Sequence, residues 1–220
     1  MLPLAAVIQE RTSGNPFFVR EMLDTCYRKN CLYYSWKHSR WEYDLDRVFD
    51  EFVEPSYGST INNDFLAKRL LELPVVTRSL LAWASLIGNT FSFSLVKGLM
   101  KGGLVSATVS DVKAIPVVPN EDPVVGLQGA LNAYLLVAEE DEDRFRFSHD
   151  RYMQAAHALS ESYDHEEMHF LIARHMVEQD FQEFMAAGSK SLFVRSRHIC
   201  LAVNLIKVSE SAEFHHQSLR

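Results

Sequence analysis

Residues 134–147 have the sequence YLLVAEEDEDRFRF. An apolar run leads into five consecutive acidic residues, and polar and apolar residues then alternate from Arg144 to Phe147. Alternation with a period of two is typical of a β-strand with one buried face, and a polar turn between two such segments predicts an antiparallel hairpin. The helices that precede and follow this hairpin decide the fold that we expect.

Four segments before the hairpin have the pattern of helices. Apolar residues recur at helical spacing over residues 63–73, 76–87, 92–100 and 124–133, and a proline separates the first two segments. Residues 102–123 contain two glycines and three prolines without a regular period, so we interpret them as an irregular insertion. Helices joined by tight turns and followed by a β-hairpin describe a winged helix.

The N-terminal part combines two helices with a second hairpin. Residues 2–11 predict a short helix that ends at a turn over residues 13–15, where Pro16 suits the first turn of the next helix. That helix runs to about residue 29. Two β-prone segments follow, residues 31–34 and 40–43, with a polar turn between them.

Helical patterns continue after residue 150. They cover residues 150–161, 165–179, 181–187 and 192–208, and their short connections favour antiparallel neighbours. We therefore predict a mainly α protein with three regions: residues 1–60, a lid-like helical segment with a β-hairpin; residues 61–150, a winged-helix domain with the insertion; and residues 151–220, the start of α-helical repeats.

Composition favours a cytoplasmic globular chain. Hydrophobic residues make up 47% of the 220 residues and charged residues 23%, which is ordinary for a folded domain. The three cysteines are an odd number without metal-binding spacing, as expected of a reduced compartment. No apolar run reaches the roughly 20 residues that a membrane span needs, so we expect no membrane partner.

The charge distribution argues against a nucleic-acid partner. The formal net charge is −7. Winged helices that bind DNA use a basic recognition helix or a basic wing, but the expected third helix, residues 92–100, offers only Lys97 and the adjacent Lys101. The acidic turn of the hairpin would repel phosphate. We predict no nucleic-acid binding.

Residues 165–169 have the sequence HEEMH, which matches the H-E-x-x-H zinc signature. His165 and His169 share a helix face, with Glu166 in the position of the general base, so a zinc-dependent metallopeptidase is an alternative function. His175 is six residues further on and lies about 240° further round an unbroken helix. Ile172 stands where the extended zinc motif has a helix-ending glycine. We therefore predict no metal at these residues.

The chain has no phosphate-binding loop. No stretch matches G-x-x-x-x-G-K-[ST], the loop whose backbone N–H groups hold nucleotide phosphates. We therefore expect that the chain alone is not catalytic.

Two segments resemble motifs of the STAND-type signalling ATPases, a branch of the AAA+ group. Residues 11–23, RTSGNPFFVREML, resemble the G-x-P segment of that family, and residues 145–151, FRFSHDR, resemble its histidine-aspartate segment at the end of the winged helix. The order of the two segments, with the winged helix between them and helices after it, matches the C-terminal part of the ATPase module of hybrid histidine kinases and multidomain signalling kinases.

The resemblance implies a role in nucleotide-dependent signalling. It places Pro16 near the adenine and His149 at the ADP phosphates, with Gly14, Asn15 and Asp150 in supporting positions. ATP or ADP would bind only to a complete ATPase. The implied partners are an upstream nucleotide-binding half and downstream helical repeats or kinase domains. A non-catalytic interaction scaffold is a further alternative.

Overall fold

The computed structural model describes residues 2–52, 63–101, 116, 118, 120–161, 163–183 and 196–206. Contacts divide the chain into two compact units, Met1–Phe65 and Leu66–Arg220. Helices predominate over small antiparallel sheets, which confirms the predicted mainly α fold. The division into three regions stays a prediction.

The first unit contains three helices and one β-hairpin. Its elements are α1 (Leu2–Thr12), α2 (Pro16–Arg28), β1 (Leu32–Ser35), β2 (Arg40–Tyr43) and α3 (Leu45–Phe52). In the hairpin, Leu32 faces Tyr43. The sequence did not predict α3. Asp44 precedes this helix, and its side-chain oxygen accepts a hydrogen bond from the Arg47 N–H at 3.2 Å. Val48 and Phe52, one turn apart on α3, enter the core of this unit.

A Schellman motif ends α2 and buries two cysteines. Asn30 has a left-handed φ of 55°, and the Cys31 N–H donates to the Cys26 carbonyl at 2.8 Å. In a Schellman motif this hydrogen bond places the residue after the turn, here Cys31, against the last turn of the helix. Burial raises the pKa of Cys26 to about 12 and also raises that of Cys31. Both thiols therefore act as small apolar side chains.

The second unit has the order of a winged helix followed by further helices. Helix α4 (Asn63–Leu71) starts at the end of the first unit and continues into the second. The other elements are α5 (Val75–Ile87), β3 (Thr90–Ser92), α6 (Phe93–Met100), α7 (Pro123–Asn132), β4 (Leu136–Ala138), β5 (Arg144–Phe147), α8 (Asp150–Ser160) and α9 (His165–Glu183). Strands β4 and β5 form the predicted hairpin, and β3 pairs with β5, so the sheet order is β3-β5-β4. Helix α5 is buried along nearly its whole length.

The helix that precedes the wing, which is the hairpin of β4 and β5, is α7. This corrects the interpretation of residues 92–100 as the third helix of the winged helix. The sequence did not predict β3, which lies between α5 and α6 and pairs with β5. Helix α7 has the sequence PVVGLQGALN, without any charged residue. Lys97 and Lys101 therefore do not lie on the helix in the recognition position. Most of the predicted insertion, residues 102–123, lies outside the described residues.

Helix α9 continues through the break that the sequence predicted near residue 180. It runs to Glu183 because Gln179 and Asp180 are polar but do not interrupt a helix as glycine or proline would. The prediction of a separate helix at residues 181–187 is therefore wrong for residues 181–183, which belong to α9. Residues 196–201 and 203–206 are helical, within the predicted range of 192–208.

Two glycines allow α7 to approach α5 closely. A Cβ atom at Gly126 would lie 2.9 Å from the Val76 carbonyl oxygen, and one at Gly129 would lie 2.4 Å from Thr77 Oγ1. Both distances are shorter than van der Waals contact. The spacing of three residues puts both glycines on the same face of α7.

We expect Gly126→Ala to lower the free energy of unfolding by about 1 kcal/mol. Overpacking against backbone costs about 1–3 kcal/mol, whereas alanine gains about 1 kcal/mol in helix propensity. Urea denaturation followed by circular dichroism measures the difference. The matched control is Gln128→Ala, at an exposed position of the same helix. Stabilisation by Gly126→Ala would show that α7 does not approach α5 this closely.

Candidate functional site

The turn between α1 and α2 holds the predicted residues Gly14, Asn15 and Pro16. Gly14 has a φ of 71°, in the region that favours glycine. Asn15 is the N-cap of α2, and its side-chain oxygen accepts a hydrogen bond from the Phe17 N–H at 3.0 Å. Pro16 is the first helical residue, where the missing N–H costs no helical hydrogen bond. The local sequence therefore fixes the position of the exposed Pro16 ring.

Pro16 lines an open groove of about 700 Å³ in the first unit. The groove runs along α2 to the hairpin and is mainly apolar; its lining residues are Gly14, Pro16, Val19, Arg20, Leu23, Asp24, Tyr27, Leu32 and Trp41. The rings of Tyr27 and Trp41 meet edge to face, with their centroids 6.0 Å apart. Asp24 pairs with Arg28 at 3.1 Å.

His149 is the N-cap of α8. Its Nδ1 atom accepts a hydrogen bond from the Arg151 N–H at 3.1 Å, so the neutral ring carries its proton on Nε2. Ser148 Oγ donates to the Tyr134 carbonyl at 2.6 Å and holds the end of β5. Asp150 is exposed in the first turn of α8, where the helix dipole favours a carboxylate. Pro16 belongs to the first unit and His149 to the second.

The three histidines of α9 have three different partners. His165 Nε2 lies 2.9 Å from Ser160 Oγ and 2.8 Å from the Ser160 carbonyl oxygen. His169 Nδ1 lies 2.8 Å from His198 Nδ1. The imidazole of His175 packs against Gly98 of α6. The H-E-x-x-H spacing puts His165 and His169 near one another along the helix, but their hydrogen bonds direct the two rings to different neighbours.

The contacts around Glu166 do not assemble a metal centre. Its Oε1 atom is buried and has no hydrogen-bond partner among the described residues. Within that part of the chain, no group of three or more His, Cys, Asp or Glu side chains has the geometry to hold a metal ion. The same residues also include no helix that is long and apolar enough to cross a membrane.

His169 and His198 form a buried pair that the sequence analysis missed. His169 is 8% exposed and His198 is fully buried. Burial lowers the pKa of each ring to about 4, and the neighbouring Arg197 adds to the effect. The two residues are 29 positions apart, and no local pattern links them.

Asp143, at the end of the acidic turn, has a structural role that the sequence analysis also missed. Its carboxylate accepts hydrogen bonds from the Ser94 N–H at 2.9 Å and from the hydroxyls of Ser92 and Ser94. These contacts cap the N-terminus of α6, where a negative charge is favourable. The serines at the start of α6 were the available signal, because serine is a frequent helix cap.

Comparison with known proteins finds a signalling kinase. The chain is 31% identical over 151 residues to the peroxide stress-activated histidine kinase mak3 of Schizosaccharomyces pombe. The aligned part is 67% of this chain and 6% of that kinase. No family model matches the chain, and no solved structure matches it. The chain is thus similar to a small part of a much larger histidine kinase.

Proposed function

We propose that this chain is a regulatory segment of a signalling ATPase, that it senses whether ADP or ATP is bound, and that it relays this state to helical repeats or a kinase region. The position of Pro16 on the wall of the apolar groove carries the proposal. Similarity to a histidine kinase supports the signalling context. The chain acts in the cytoplasm and is not catalytic alone.

The groove has properties that suit a flat heterocyclic base. Pro16, Val19 and Leu23 offer an apolar surface along α2, and Tyr27 and Trp41 add aromatic rings at the hairpin end. Aromatic and apolar side chains stabilise a nucleobase by stacking and by removing its faces from water. Arg20 adds a cation at the groove, which is favourable near a nucleotide phosphate.

His149 suits contact with a phosphate oxygen. Because its Nδ1 atom accepts the helix-capping hydrogen bond, Nε2 is the ring nitrogen that can donate a hydrogen bond to a phosphate oxygen. Asp150 supports this arrangement by starting α8.

The proposal requires an upstream partner that holds the nucleotide. Backbone N–H groups of a phosphate loop supply most of the contacts to phosphates in such ATPases, and the chain has no such loop. ATP and ADP are therefore ligands of the complete protein, in which the nucleotide-binding half precedes this chain and helical repeats or kinase domains follow it.

Calorimetry with ADP tests this proposal on two proteins. We expect no saturable binding below millimolar ADP with the 220-residue chain and micromolar or tighter binding with a longer protein that includes the upstream half. In the longer protein, Pro16→Ala should weaken ADP binding by roughly tenfold, because it removes about two methylene groups from the contact. Stability measurements on the same variant separate this effect from a loss of helix α2.

The matched control is Trp36→Ala, which removes an 85% exposed ring that does not line the groove. It should leave ADP binding unchanged. Micromolar binding to the chain alone, or equal affinity in the Pro16→Ala variant, would contradict the proposal.

A further inference from the structure

The histidine pair, His169 and His198, joins α9 to the helical segment of residues 196–206. Both rings are buried, and their Nδ1 atoms are 2.8 Å apart. The ring centroids are 4.9 Å apart with an angle of 44° between the planes. Ala202, one turn after His198, is also fully buried. The pair is therefore a polar contact on the buried face of this segment.

An Nδ1 to Nδ1 hydrogen bond defines the protonation state of the pair. One ring must donate through Nδ1–H while the other accepts, so at least one ring is neutral. His198 Nε2 is buried without a hydrogen-bond partner among the described atoms. A bare ring nitrogen in such a place costs less than an unsatisfied N–H, so His198 is the Nδ1–H donor and His169 the acceptor.

Protonation works against the pair in two steps. The first proton puts a charge into a buried site, although one N–H···N bond survives. The second proton places two N–H groups opposite each other, so the hydrogen bond is lost and like charges meet.

The surroundings of the pair do not compensate such a charge. Arg197 on the same segment, His165 on α9 and His157 on α8 all disfavour protonation of His169. Helices α5 and α6 also pack against α9, and their sequences contain Arg78 and Lys97 but no acidic residue. On α9, Glu166 precedes His169 by about one turn, and neither of its oxygens bonds to the two rings in the described structure.

We propose that the histidine pair is an acid-sensitive contact: it holds residues 196–206 against α9 at neutral pH and releases this segment when the rings take up protons. The segment is a pH-responsive element within the part of the chain where helical repeats are expected. This inference does not depend on nucleotide binding.

The direction of the pH effect follows from linkage. Both rings have their pKa lowered from 6.5 to about 4 in the packed state, so the released state binds protons first as the pH falls. The packed state keeps its full stability above pH 6.5 and loses it progressively between pH 6.5 and 4. From pH 7.5 to pH 5, each ring shifts the equilibrium toward release by roughly 30-fold, if its pKa returns to 6.5 on release.

Hydrogen exchange on the full chain at pH 7.5 and pH 5 tests the proposal, with rates corrected for the intrinsic effect of pH. We expect the protection factors of residues 196–206 to fall by roughly 30-fold or more, whereas those of α2 should change little. The double variant His169→Leu/His198→Leu should lose this pH dependence. The control His165→Gln, which removes a ring bonded to Ser160 rather than to the pair, should keep it.

A titration of wild-type imidazole signals by NMR provides a test that does not depend on the folding of any variant. The signals of His169 and His198 should titrate well below pH 6 and together with the loss of protection in residues 196–206. Ordinary titration near pH 6.5 with the segment still protected would overturn the proposal. Equal loss of protection in the wild type and the double variant would also overturn it.

Discussion

Trp83→Ala is expected to lower the free energy of unfolding by about 3–5 kcal/mol, the usual cost of deleting a large buried aromatic side chain. Trp83 is fully buried in α5. Its indole Nε1–H donates to the Pro116 carbonyl at 3.0 Å, and Ser79 Oγ donates to the same oxygen at 2.9 Å. The variant therefore leaves a cavity and removes one of two donors from a buried carbonyl. Urea denaturation followed by circular dichroism measures the effect.

Two further variants separate the contributions. Trp83→Phe keeps most of the apolar volume but removes the hydrogen bond, so it should cost less than the alanine variant. Trp36→Ala makes the same change at an 85% exposed position and should shift stability by no more than about 0.5 kcal/mol. Similar losses in Trp83→Ala and Trp36→Ala would contradict the assignment of α5 as the core helix.

The parts of the fold that the sequence predicted well have strong periodicity. In β5, Phe145 and Phe147 are buried and Arg144 and Arg146 are exposed, as the alternation required. Helix α5 is apolar on nearly every side, and a helix of that kind lies at the centre of a domain. Each of these elements must bury an apolar face, and that face is visible in its own sequence without knowledge of the elements that pack against it.

The parts that the sequence missed depend on pairing between distant residues. Strand β3 has only three residues, and its partner Phe145 is more than 50 positions away from Phe91. Without β3, the short helix after it looked like the third helix of the domain. The His169–His198 contact was missed for the same reason, because a histidine on an apolar helix face does not indicate which distant residue it contacts.

The sequence predicted a helix start at Pro16, and the assignment of the candidate residues to a nucleotide site stays a prediction. Asn15 and Pro16 are a common way to start a helix, and the structure uses them in this way. His149 is likewise used as a helix cap. Each residue therefore helps to start a helix whether or not a nucleotide binds. Only a change in nucleotide affinity on mutation separates a role in binding from a role in starting the helix.

In a longer protein with the upstream nucleotide-binding half, His149→Ala is expected to weaken ADP binding by roughly 10- to 150-fold. A hydrogen bond from the imidazole Nε2–H to a charged phosphate contributes on the order of 1.5–3 kcal/mol. If His149 contacts the nucleotide only in the ADP-bound conformation of the longer protein, the variant lowers the population of that conformation and weakens the binding of ADP more than that of ATP. Calorimetric titrations with both nucleotides measure the two affinities.

The variant His149→Asn distinguishes the proposed ligand contact from helix capping. Asparagine is a good N-cap, so it should retain the hydrogen bond that His149 Nδ1 now accepts from the Arg151 N–H and keep the thermal stability of the wild type. Its shorter side chain does not reproduce the Nε2–H donor, so ADP binding should stay as weak as in His149→Ala. Recovery of ADP affinity together with stability would assign His149 to capping alone, and an equal loss of ADP and ATP affinity would exclude a role in switching between nucleotide states.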